Sequence, residues 1–278
     1  MKSPYDTHLD RNKANYQPLS PVNFLVRAAT VYANKTAVIH GSKRYSYAEF
    51  YTRSRRLASS LSNRGVGQGD TVSIMAPNIP ALLEAHYGVP MIGAVLNALN
   101  IRLDAAAIAF MLDHGEAKVI LTDRMFSSVI EDALKIASNT PLVIDIDDPL
   151  DQSGELLGEM TYEAFLEEGD PEFSVIPAEN EWQALSLNYT SGTTGLPKGA
   201  MLTHGNLFWN AVNVAFSENN MQTATLTCAP LFHIGGLNVT TLISLACGIE
   251  VILHRNFETT FHLELFLNFQ VLHKFFLN

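Results

Sequence analysis

Cysteine is nearly absent: Cys228 and Cys247 are the only two in 278 residues, and both sit in apolar stretches. Two such residues exclude a disulfide framework and a cysteine metal site, and read as packing residues of a chain in a reducing cytoplasm. Positive charge is also short, with 18 Lys+Arg against 28 Asp+Glu and a formal charge of -10. That balance repels nucleic acid and anionic lipid over the molecule as a whole, so an anionic substrate has to be met by local donors. Long apolar runs are missing as well. The uncharged stretch 224–249 carries Pro230, His233, Asn238, three glycines and several threonines, and reads as core rather than as an integral membrane span. Residues 1–15 hold Lys2, Asp6, Asp10, Arg11 and Lys13 with no apolar block, which excludes a secretory leader there. No internal repeat is found, and Asp145, Asp147 and Asp148 lack calcium-loop spacing and read as a solvated turn. The sequons at Asn34, Asn188 and Asn238 matter only on a secreted chain and read as chance.

What is present is an α/β alternation. The length sits near the point, about 250–300 residues, where one core gives way to two. Leu25, Ala28, Ala29 and Tyr32 share a helical face, and a strand pair, Thr36 to His40 and Lys43 to Tyr47, turns at Gly41-Ser42. Ser46 and Glu49 have the spacing of a capping box for a helix striped by Phe50, Leu57, Ala58 and Leu61 and ended by Gly65. Its Arg53, Arg55, Arg56 and Arg64 read as a solvated basic face. The glycines of 65–69 precede a strand instead of following one, so they are not a dinucleotide loop. From Thr71 the pattern predicts strands at 71–75, 95–99, 118–122 and 142–146, with helices from about 79, over 104–114 and over 125–137: a parallel layer. A short helix at about 161–168 and a linker over 168–181 mark the passage from a first part, roughly 18–170, to a second, 181–278. There Thr203 caps a helix, strands follow at 224–229 and 250–254, and Pro230–Gly236 reads as a punctuated loop.

The chemistry concentrates in Tyr189-Thr190-Ser191-Gly192-Thr193-Thr194-Gly195-Leu196-Pro197-Lys198-Gly199. Thr190, Ser191, Thr193 and Thr194 can each donate a hydroxyl proton to a phosphate oxygen. Gly192 and Gly195 allow close backbone approach, and Lys198 adds a point charge. A mobile surface loop has a similar composition, but the apolar runs 184–187 and 200–202 on either side favour a built anion site. The pattern is not a Walker loop, because Lys198 follows Pro197 and precedes Gly199, and Tyr189 denies it the first glycine of a nucleophile elbow.

This stretch, continued through Leu202-Thr203-His204-Gly205-Asn206-Leu207, resembles the signature loop of the adenylate-forming (AMP-binding) superfamily, in its acyl-CoA synthetase branch. The resemblance reaches back to about residue 18 and forward to about residue 265. It implies an α/β fold of layered sheets flanked by helices, as in the large N-terminal domain of adenylate-forming enzymes, here truncated and with the C-terminal domain absent. It further implies ATP, Mg2+ and coenzyme A as cofactor and co-substrates, a small-molecule carboxylic acid, fatty or similarly apolar, as partner, and Lys198 as a catalytic group. A His between apolar residues is commonly packed core. In the family, however, a Pro-Leu-Phe-His-x-x-Gly stretch lies at the carboxylate end of the acyl pocket, so His233, Gly235 and Gly236 resemble substrate-lining residues. Peptide synthetases place an Asp there to meet an ammonium, so His233 points to a plain acid. Motifs for adenine, ribose and magnesium, and the family's C-terminal lysine, are not found in these residues. A non-catalytic nucleotide-binding fragment and a luciferase-like oxygenase, which shares the loop, are the alternatives.

Overall fold

The computed structural model describes residues 3–12, 14–190, 197–217, 224–227 and 229–255. Helix α1 (Val22–Val31) leads into the hairpin β1 (Thr36–His40) and β2 (Lys43–Ser46), followed by α2 (Tyr47–Asn63). Ser46 Oγ accepts from the Glu49 amide and the Glu49 carboxylate accepts from the Ser46 amide, so the capping box starts α2 where the spacing requires. Phe50, Leu57, Ala58 and Leu61 are all buried along one face.

Next come β3 (Thr71–Met75), α3 (Pro80–Gly88), β4 (Val95–Ala98), α4 (Ala105–His114), β5 (Ala117–Asp123), α5 (Ser127–Ile136), β6 (Leu142–Ile146), β7 (Met160–Thr161) and α6 (Tyr162–Glu167). Strands β3 to β7 pair in parallel, and every residue of β3 and α3 is buried, as suits a strand covered on both faces. Gly88 lets α2 and α3 approach, since a Cβ there would lie 2.8 Å from the Ser54 carbonyl oxygen. β8 (Ala184–Thr190) joins β4 in parallel and β9 (Lys198–Thr203) turns back on it, giving the order β7-β6-β5-β3-β4-β8-β9. After α7 (His204–Ser217), β10 (Ala224–Thr227) and β11 (Glu250–Leu253) complete a second sheet, β10-β11-β1-β2, in which Val38 pairs with Val251. The α/β reading with layered sheets flanked by helices is what the structure has, and the strands on either side of segment 168–181, β7 and β8, belong to the same seven-stranded sheet. Among the described residues no helix is long and apolar enough to cross a membrane.

Two polar readings are corrected by the packing. The α2 arginines are not free on a solvated face, although Arg64 is exposed: Arg53 Nε donates to Glu84 Oε1 at 2.5 Å and Arg53 Nη2 to Glu163 Oε1 at 2.7 Å. Arg64 Nη2 reaches Glu168 Oε2 at 2.6 Å, Arg55 meets Glu172, and Arg56 donates to the carbonyls of Leu166, Glu167 and Gly169. They fasten α2 to α3, α6 and the segment after it. Buried Glu84 also accepts from the Tyr162 hydroxyl at 2.8 Å, so its charge is fully partnered.

Asp145 and Asp148 are likewise not in a solvated turn but buried. Asp145 Oδ2 accepts from the Gly158 amide at 2.6 Å. Asp148 Oδ2 accepts from Arg255 Nη1 at 2.6 Å and lies 2.8 Å from His40 Nε2. Arg255, just past β11, also donates to Asp123 at the end of β5 at 2.9 Å and to Asp151 at 3.3 Å. One guanidinium thus ties the two sheets together. Burial raises the Asp148 carboxyl, yet His40 and Arg255 outweigh it and hold the group well below its usual range. At Asp123 burial wins and the carboxyl is raised despite Arg255.

Candidate functional site

Strand β8 runs parallel to β4, so its end, Thr190, lies at the carboxyl-terminal edge of the parallel strands, where open α/β sheets take ligands. Thr190 and Lys198 are partners in the antiparallel ladder, with Thr190 Oγ1 donating to the Lys198 carbonyl at 3.4 Å, and both side chains are exposed. The hairpin therefore brings the two ends of the candidate phosphate loop to one point. Ser191, Gly192, Thr193, Thr194 and Gly195 lie outside the described residues. Tyr189 anchors the strand before the loop: its hydroxyl is 2.7 Å from His114 Nδ1, and its ring packs edge-on against Phe110 and His114 of α4.

His233 is exposed. Its Nδ1 accepts from the Gly235 amide at 3.1 Å and caps a helical run made of Ile234–Gly236, a π turn at Leu237–Thr241 and Leu242–Ala246. Part of the expected loop is therefore helix. Gly236 is buried where a Cβ would run into the carbonyls of Ala229 and Pro230, so a larger residue would displace the turn that carries His233. Thr241 Oγ1 closes the same turn by donating to the Gly236 carbonyl at 2.8 Å.

Two residues that the sequence pattern does not mark hold this loop. Asn78, past the end of β3, donates through Nδ2 to the carbonyls of Thr227 at 3.2 Å and Ala229 at 3.1 Å, and its Oδ1 accepts from the Leu231 amide at 2.8 Å. His86 of α3 donates from Nε2 to the Leu231 carbonyl at 3.1 Å. Through Asn78 the His233 loop is tethered to the edge where β8 delivers Thr190. The signal available in the sequence was positional: an amide side chain directly after a buried parallel strand.

Burial pushes His86 down to about 4 against the raising effect of its hydrogen bond. Burial likewise takes His204, whose Nδ1 is 2.8 Å from Ser20 Oγ, down to about 4. An unfolded histidine titrates near 6.5, so between these values the unfolded chain binds more protons and stability rises with pH. Stability is expected to fall by about 2 kcal/mol per histidine on going from pH 7 to pH 5. Urea unfolding across that range measures it, and His86→Gln should flatten the slope; an unchanged slope contradicts the assignment.

The family model for AMP-binding enzymes matches residues 25–275, and the chain belongs to that family. An acetate–CoA ligase of Humulus lupulus is 43% identical over 260 residues, which cover 89% of this chain and 46% of the relative. An acetate/butyrate–CoA ligase of Arabidopsis thaliana, named as peroxisomal, is 43% identical over 241 residues, covering 82% and 42%. The chain spans about half the length of the curated relatives it matches. Among solved structures, a long-chain-fatty-acid-CoA ligase from Archaeoglobus fulgidus superposes with TM-score 0.80 over 92% of this chain and 51% of that one, at 22% identity, a likeness of fold. The N-terminal domain of FACL13 from Mycobacterium tuberculosis gives 0.78 over 91% and 61%, at 26% identity.

Among the described residues no group of three or more His, Cys, Asp or Glu side chains could hold a metal ion.

Proposed function

We propose that this chain carries the phosphate-handling part of an ATP-dependent acid–CoA ligase. One observation carries the reading: the β8–β9 hairpin presents Thr190 and Lys198, ends of a hydroxyl- and glycine-rich loop, at the ligand-binding edge of a sheet in an AMP-binding enzyme. In the first step a carboxylate oxygen of the acid bonds to the α-phosphorus of ATP while the bond to the β-phosphate oxygen breaks, so pyrophosphate leaves with both electrons. In the second, the thiol of coenzyme A attacks the acyl carbon, its proton is lost, and AMP departs. Lys198, with Thr190, Ser191, Gly192, Thr193, Thr194 and Gly195, offsets the charge that grows on the leaving pyrophosphate. Magnesium arrives as the counter-ion of ATP and is part of the substrate.

His233, Gly235 and Gly236 border the acid, with His233 facing a neutral chain rather than an ammonium. The acid is a plain apolar monocarboxylate. Relatives named for acetate and butyrate put short acids ahead of long fatty acids in any panel. The net charge of -10 makes a nucleic-acid partner unfavourable. Cytoplasm is the expected compartment, with the peroxisome of several relatives as the second to test. Residues 1–278 by themselves are expected to give no hydroxamate with ATP and acid, because about half the relatives' length is what they align to.

His233→Ala tests the acid assignment in the longest natural chain carrying this sequence. Its ranking of acids by length should change by about tenfold between neighbours while its melting temperature stays at the wild-type value. A lower melting temperature with the wild-type ranking would remove His233 from the pocket.

A further inference from the structure

Between β10 and the helical run, the described residues before His233 have little secondary structure of their own, yet several of their backbone polar groups find partners far away in the chain. Three of its carbonyls, those of Thr227, Ala229 and Leu231, and the Leu231 amide, are taken by two buried side chains from another part of the chain, Asn78 and His86. The fourth carbonyl, that of Pro230, accepts from the His233 amide at 3.1 Å. Among the described residues of this path, Thr227, Ala229, Pro230, Leu231 and His233 are thereby pinned.

We propose that Asn78 and His86 are positioning residues for the acid substrate: they set where His233 stands relative to the sheet edge, and so decide which acids fit. The inference rests on the reading of His233 as a pocket residue. Asn78 is suited to the task because one amide group spans two carbonyls and an amide hydrogen, matching donors to acceptors as no carboxylate or hydroxyl could. Asn78→Asp keeps the volume but sets a carboxylate against two carbonyl oxygens. His86 is suited because burial keeps it neutral, and its Nε2 proton is committed to Leu231. Gln in its place can still donate through an amide nitrogen, whereas Leu cannot.

Among the described residues, neither one hydrogen-bonds to the hairpin. Their substitution should thus move the acid's parameters and leave those of ATP alone. Loss of the Leu231 tether alone frees one buried carbonyl, and loss of Asn78 frees three groups, so Asn78 variants should have the larger effect.

The experiment measures KM for ATP and for a panel of acids of increasing length, with melting temperature, for Asn78→Asp, Asn78→Ala, His86→Leu, His86→Gln and His233→Ala in the longest natural chain carrying the sequence. Asn78→Asp and His86→Leu are expected to raise KM for the preferred acid on the order of tenfold and to re-rank the panel as His233→Ala does, with KM for ATP within about twofold of wild type. His86→Gln should restore the wild-type ranking. If Asn78 variants fail to fold, the His86→Leu and His86→Gln pair decides the question alone. Re-ranking by His233→Ala without re-ranking by His86→Leu overturns the positioning role and leaves the pocket reading standing. No re-ranking by any variant, with lowered melting temperatures, overturns both. Equal rises in KM for acid and ATP would make the two residues general supports of the fold and also overturn the proposal.

Discussion

Lys198→Ala is expected to slow acid-dependent pyrophosphate exchange on the order of 10²–10³-fold, the scale of removing one preorganised stabiliser from a transition state. The lysine opens β9, paired with Thr190, and its side chain is exposed at the sheet edge with no ion pair among the described residues. Its charge matters most when the bond to the β-phosphate is breaking, because negative charge then builds on the departing pyrophosphate. The loss should therefore fall on kcat more than on the KM for acid. Lys198→Arg keeps the charge on a longer, planar group and should recover only part of the rate. Stopped or initial-rate exchange in the longest natural chain measures it; wild-type kcat in Lys198→Ala would remove the residue from catalysis.

Arg255→Met carries the largest expected effect on stability. Arg255 is the shared partner of Asp123, Asp148 and Asp151, and the first two are almost wholly buried. Removing it strands carboxylates in a medium that solvates them poorly, which costs about 3–5 kcal/mol when a buried pair is broken from one side. For a chain of this size that corresponds to a melting temperature lower by about 10 °C. Asp123→Asn added to Arg255→Met should recover part of the loss, since it removes one of the stranded charges. Calorimetry of the three proteins tests this. A single variant melting within about 2 °C of wild type contradicts a stabilising role for the cluster.

The parts of the fold that local pattern controls were legible. Ser46 and Glu49 are three residues apart, and the cap they form is complete within one turn. The strands from Thr71 to Ile146 announce themselves by apolar runs separated by helical stripes, and all are present in parallel order. The candidate phosphate loop is read from contiguous hydroxyls, glycines and a lysine, and its residues Ser191 to Gly195 lie outside the described residues. What was not legible depends on partners far away in the chain. Arg53 reads as a surface arginine until Glu84 and Glu163 are folded against it, and Asp148 reads as a turn residue until Arg255 arrives from the far end of β11. The pairing of Val38 with Val251, which completes the second sheet, has no counterpart in either strand's own pattern. The helical run after His233 was hidden differently. Gly235, Gly236, Thr240 and Thr241 speak against a helix, yet Thr240 and Thr241 donate back to the Gly236 carbonyl and Ser244 to that of Thr240, which accommodates the π turn.

The central claim, that the hairpin edge and the His233 loop serve one adenylation site, is tested most directly by exchange of labelled pyrophosphate into ATP. The measurement uses the longest natural chain carrying this sequence, magnesium and a panel of short to long monocarboxylic acids, with and without each acid. The account predicts exchange that requires an acid, is strongest for a subset of the panel, and collapses in Lys198→Ala. Exchange that is absent with every acid, or that proceeds equally without one, would contradict it.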